Sequence, residues 1–295
     1  MNVTNNYALP AAIVAAVEND PYSRGDADIS VTELIAPAQQ RALMREHWHE
    51  LEEDAADRLF ALQGQLIHSL LERANIKHQL ADIAERRLSA EVAGWALSGQ
   101  FDNLILDDSG TLQDYKYSSV WSVKNGVKEE WVAQLNVLRW LVYANGYDAP
   151  ERLQLVALLR DWSKPAAMRE RDYPPAAVQV LDVPVWTISE TLRYIVSRLA
   201  DHEAARNDIA DGDKPVPCTP AERWERPTQY AVMQAGRKRA VKLHAHADDA
   251  HAHAAQLPKA RVEIRPGAAV RCESYCAVAH LCPQRQAELA AADAA

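Results

Sequence analysis

The sequence predicts an α/β protein. Two observations carry that expectation: helical stripes alternate along the chain with short Leu/Val-rich runs, and two strand-like runs flank the tight turn Asp107-Asp-Ser-Gly110. A third observation sets the tail apart. After Asn207 the chain becomes rich in alanine, charge and histidine, and it holds all four cysteines.

Each element has a local reason. Residues 29–43 open with a Ser/Thr cap pattern ahead of a helix-like run. Between 55 and 75, Leu59, Leu62, Leu66 and Leu70 form a helical stripe expected to face the core. Strands are expected at about 91–106 and 111–120. From Glu129 to Asn145, Trp131, Leu135, Leu138 and Val142 again recur at helical spacing, and Gly146 suits a C-terminal cap. Arg152–Arg160 and Val178–Trp186 read as further strands. Thr187-Ile-Ser-Glu190 is a capping-box pattern opening a helix to about Asn207. Asp211-Gly-Asp-Lys-Pro-Val-Pro reads as a linker, and no internal repeat is visible. The expected organisation is a helical N-terminal segment at 1–45, a core at 46–210 and a cysteine-bearing, helical C-terminal segment at 211–295.

Composition narrows the class. At 295 residues, 48% hydrophobic and 25% charged, the chain can bury a full core. No run is long enough for a membrane helix, and the apolar N-terminal stretch lacks a basic leader and contains Pro10, so a cytoplasmic location is expected. The net charge of −9 runs against strong binding to phosphate chains, so any such contact must use local basic tracks. Arg160, Lys164, Arg169 and Arg171 offer one, and Arg237, Lys238, Arg239 and Lys242 another.

The chemistry concentrates around the turn. A hairpin there brings Asp102, Asp114 and Lys116 to one end of a sheet. Two close carboxylates repel unless a cation lies between them, and a hard divalent ion such as magnesium or manganese suits oxygen ligands. Lys116, two residues beyond Asp114, points to the same face and can stabilise an anion. Such a set hydrolyses phosphodiesters. Asp107 and Asp108 are read as turn residues, and Glu91 as a strand-surface residue.

The spacing of Asp102 and Asp114-Tyr-Lys116 resembles the PD-(D/E)XK nuclease superfamily. Gly64-Gln-Leu-Ile-His68 upstream and Gln134 in a downstream helix resemble its RecB-like branch. The resemblance implies a restriction-endonuclease-like core, a central mixed sheet flanked by helices. It implies His68, Asp102, Asp114 and the Tyr115 carbonyl as metal ligands for Mg2+ or Mn2+, with Lys116 and Gln134 completing the catalytic set. Where relatives often have tyrosine four residues after the glutamine, this chain has Leu138.

Four cysteines in a reducing compartment point to a metal centre rather than disulfides. Cys218 is distant, while Cys272, Cys276 and Cys282 form an irregular triplet. That pattern resembles iron–sulfur nucleases of the AddB and CRISPR-associated type, which implies a 4Fe-4S cluster, with zinc as the alternative. The relatives' lone cysteine precedes the core, whereas Cys218 follows it, so the cluster is expected to close the C-terminal segment on itself. His244, His246, His251 and His253 are expected to scatter over one alanine-rich helix without a role.

Together these expectations describe a metal-dependent deoxyribonuclease, an exonuclease of recombination, repair or phage DNA processing. Its partners would be DNA and a recombinase, helicase or single-strand-binding protein. The rival is a non-catalytic DNA-binding scaffold on the same fold, its cysteines holding a structural metal.

Overall fold

The computed structural model describes all residues except 20–23, 107, 125 and 294–295. Asp107 therefore lies outside the described residues. The core is a six-stranded mixed sheet of β1 (Ile29–Ser30), β2 (Ile83–Val92), β3 (Trp95–Ile105), β4 (Thr111–Ser118), β5 (Arg152–Leu159) and β6 (Val178–Val183). Their order is β1-β3-β4-β5-β6, with β2 pairing along β3 as well. β4 and β5 run parallel, while β2–β3, β3–β4 and β5–β6 are antiparallel.

The expected strand at 91–106 is two strands. Ala93 and Gly94, both at positive φ, turn the chain between β2 and β3 as a tight hairpin turn needs. Ala-Gly is a weak turn signal, and β2 is crowded with Glu85, Arg86 and Arg87, which disguised its strand character.

Five helices surround this core: α1 (Val31–Ile35), α2 (Ala38–Glu46), which packs on α5, α3 (Leu59–His78), α4 (Glu129–Ala144) and α5 (Ile188–Ala210). Ser30 with Glu33 and Thr187 with Glu190 both close reciprocal capping boxes, satisfying the first free amides of α1 and α5. Leu135, Leu138 and Leu141 of α4 join Val31, Leu34, Leu97, Ile195 and Leu199 in the main buried cluster. The helix approaches β3 at Gly99, where a Cβ would come within 2.6 Å of Leu138 Cδ2 and Val31 Cγ2. Leu138 is thus a core residue, and a tyrosine there would displace sheet packing.

α3 departs from the expected stripe in its second half, while Leu59 and Leu62 stay half-buried. Leu66 and Leu70 are 63% and 59% exposed. The inward face carries Gly64, His68, Leu71 and Asn75 instead, at spacings of four, three and four. Polar contacts decide this: Asn75 Nδ2 donates to Asn103 Oδ1 at 2.7 Å, and His68 meets Asp102.

Beyond residue 211, three antiparallel strands, Gln229–Gln234, Lys242–His244 and Ala260–Arg265, accompany helices Ala247–Ala255 and Pro283–Asp293. The single histidine-rich helix is therefore not formed. His244 lies on a strand, and its Nε2 is 2.9 Å from His253 Nδ1. Val278 and Cys282 pack with Leu43 of α2 and Leu51 in a second buried cluster.

Candidate active site

The β3–β4 ladder ends at Asn103↔Gln113, and the next residues on the two strands are Asp102 and Asp114. Both are buried. At this parting the Tyr115 amide donates to Asp102 Oδ2 in a very short contact. Tyr115 is fixed in turn by its hydroxyl, which accepts from Asn103 Nδ2 at 2.5 Å.

Two groups of side chains close on the parting strands. From α3, His68 Nδ1 lies 3.0 Å from Asp102 Oδ1 and 3.8 Å from Glu85 Oε1. His68, Glu85 and Asp102 each offer a ligand atom within 4.8 Å of the others. From α4, Gln134 Nε2 donates to Asp114 Oδ1 at 3.2 Å, while Lys116 Nζ is 2.5 Å from Asp114 Oδ2. Asp114, Lys116 and Gln134 are thus one contact group, and His68, Glu85 and Asp102 another. The two share the Asp102–Asp114 parting.

Glu85 is the site residue that sequence reasoning missed. It lies opposite Asp102 in the register set by Ala84↔Asn103 and Arg86↔Phe101, and its φ of 47° puts it in the left-handed region. A charged non-glycine residue held there costs energy that surrounding contacts must offset. Gln100 Nε2 donates to its Oε2 at 2.8 Å. No local signal marked it, because its place depends on the strand paired opposite. Glu91, by contrast, is exposed on the same strand.

The electrostatics favour a cation. The Asp102 carboxylate, which accepts from the ring, and the nearby Glu85 carboxylate push the His68 pKa up to about 10, so its imidazole carries an extra proton at neutral pH. Burial and the neighbouring Asp114 push the Asp102 carboxyl up, outweighing the opposite pull of His68. A carboxylate cluster that holds an extra proton and an ammonium is one that a divalent ion can neutralise. Glu85 Oε1 is buried without a hydrogen-bond donor, and the donor set is oxygen-rich with one imidazole, which fits magnesium or manganese.

The cysteines converge elsewhere. Cys218, Cys272, Cys276 and Cys282, all free thiols, line one small cavity with Pro37, Gln39 and Leu43. Gln39 Oε1 accepts from Cys218 Sγ at 3.3 Å. Burial, then Glu222 and the other three thiols, push the Cys218 pKa up to about 12, and burial also raises that of Cys276. All four cysteines come from the C-terminal segment, and the cavity they line also abuts α2 through Gln39 and Leu43.

Parting strands with buried carboxylates, an ion-paired lysine and an imidazole give this α/β protein a candidate cation site. The chain belongs to the PD-(D/E)XK nuclease superfamily, whose sequence model matches residues 22–283. No curated protein sequence matches it. Among solved structures, it is similar to that described as SSO0001, with TM-score 0.45 and 17% identity over 64% of this chain and 83% of that one. It is also similar to the alkaline exonuclease LHK-Exo from Laribacter hongkongensis, with TM-score 0.33 and 15% identity over 60% of this chain and 91% of that one.

Proposed function

We propose that this protein is a Mg2+- or Mn2+-dependent deoxyribonuclease of the RecB-like, AddB-type branch, an exonuclease serving recombination, repair or phage DNA processing. Family membership supports the nuclease reading. The observation that carries it to these residues is the Asp114–Lys116 ion pair beside the His68–Glu85–Asp102 group.

His68, Glu85, Asp102, Asp114 and the Tyr115 carbonyl would hold the divalent ion. When bound, it polarises the scissile phosphate and acidifies a water. Lys116 presents its ammonium at the Asp114 face, where it stabilises negative charge growing on the phosphate oxygens. Gln134, hydrogen-bonded to Asp114 Oδ1, keeps that carboxylate from rotating. Tyr115 N–H does the same for Asp102 through Oδ2. His68 must give up its extra proton before its Nδ1 can act as a ligand.

The four cysteines would hold a 4Fe-4S cluster, a staple between the C-terminal segment and α2. Zinc held by the same four thiolates is the alternative. Arg223, Arg271 and Arg285 line the same cavity and offset thiolate charge.

DNA, and a recombinase, helicase or single-strand-binding protein that delivers it, are the expected partners. The test is incubation of end-labelled linear and closed-circular DNA with the protein and Mn2+ or Mg2+. Metal-dependent loss of linear DNA with circles spared is expected. Binding without cutting would instead support the non-catalytic scaffold.

A further inference from the structure

Two exposed aromatic rings, each with a cation on one face, stand at the end of the sheet that carries Lys116. Phe60 is 57% exposed, and the Arg160 guanidinium lies 4.2 Å from its ring centroid. Trp121 is 73% exposed, and Lys124 Nζ lies 4.9 Å from its ring. Both rings present most of their surface to solvent.

Their placement ties both to the cation site. Phe60, Gly64 and His68 follow at four-residue spacing on α3, so they share one helix face. At Gly64 an added Cβ would meet nothing within 4 Å, so open space lies one turn from the His68 ligand position. Mid-helix glycine costs about 1 kcal/mol relative to alanine, and no neighbour here requires it. Trp121 follows Lys116 by five residues, just past the end of β4. The two loops are bonded together: Arg160 N donates to Ser118 O at 3.0 Å, and Val120 N to Asp161 Oδ1 at 2.7 Å.

Resting on the nuclease reading above, we infer that Phe60 and Trp121 are stacking platforms for unpaired bases, and that this site takes a single-stranded DNA end. An aromatic face with a cation beside it matches a nucleotide, whose base has a π-face and whose phosphate is anionic. Duplex bases are already stacked on one another and offer such platforms only their phosphates. In a chain of net charge −9, placing Lys124 and Arg160 against these rings gives a local attraction for phosphate that the net charge opposes. The open strip beside Gly64 then leaves room for the backbone between the Phe60 platform and the ligands.

The test is binding of 2-aminopurine-labelled single-stranded and blunt duplex oligonucleotides to the full chain in EDTA, where no cutting competes. Wild type is expected to prefer the single strand and quench its label. Phe60→Leu with Trp121→Leu should weaken single-strand binding about tenfold or more and remove the quenching, while Phe60→Tyr with Trp121→Phe restores both. Matching melting temperatures for the two double variants separate this from misfolding. Unchanged single-strand affinity in the leucine variant, or wild-type preference for duplex, overturns the inference. Failure of the nuclease reading is seen separately, as wild type that binds and never cuts.

Discussion

Glu85 and Asp102 face each other across the β2–β3 hairpin, and both reach the same His68 nitrogen, at 3.8 and 3.0 Å. The pair lies where β3 and β4 part, so a sheet defect and a ligand cluster coincide. Glu85 gains this place only through a left-handed backbone, φ 47°, that a regular strand would not allow.

Removing that carboxylate should therefore act through the cation. Glu85→Gln keeps shape and loses charge, so Mn2+ affinity measured by calorimetry should fall about tenfold or more. Unchanged affinity would remove Glu85 from the ligand set.

The cysteine cavity leans on α2, which predicts coupling between distant parts of the chain. Anaerobically purified protein should be brown and carry iron. Cys276→Ala should lose both, and limited proteolysis should then open both the C-terminal segment and the 38–46 helix. A colourless protein with stoichiometric zinc would decide for zinc.

Gly99 reports on the α4–β3 contact. Gly99→Ala places a methyl against Leu138, Val31 and Leu141 at 2.6–2.9 Å, so urea denaturation should show a loss of about 1–3 kcal/mol. No loss would mean that the helix is free to retreat.

His202 sets an acid limit away from the cation site. It is buried, its ring nitrogen is 3.0 Å from Leu34 O, and burial depresses its pKa to about 4. A folded pKa below the ordinary 6.5 means the unfolded chain binds the proton more readily, so the contribution is intact above 6.5 and lost as pH falls toward 4. Metal-free protein should thus lose about 2 kcal/mol from this group between pH 7 and pH 5, and His202→Gln should flatten that slope. A slope unchanged by the substitution would place the acid limit elsewhere.

Legibility followed from how local each signal was. Asp102, Asp114, Lys116, Gln134 and His68 sit in motifs whose spacing needs no tertiary knowledge, and the structure brings them into two neighbouring groups. The capping boxes at Ser30 and Thr187 were equally local. Glu85 was not legible, because its role depends on a hairpin partner and an unusual φ. The face of α3 was misread for a related reason: Leu66 and Leu70 follow the helical period, yet His68 and Asn75 have buried polar partners and take the inward side. The grouping of Cys218 with the triplet was anticipated from residue type, while the contact to Gln39 spans 179 residues and left no mark in sequence.

The most direct measurement is cleavage of end-labelled linear DNA in Mn2+ by wild type and Lys116→Ala. The lysine variant should keep its fold and its Mn2+ binding, while its cutting rate drops by about a hundredfold or more, as removal of a charge-stabilising group does. Equal cutting by both proteins would contradict the assignment of the Asp114–Lys116 pair as the centre of the chemistry.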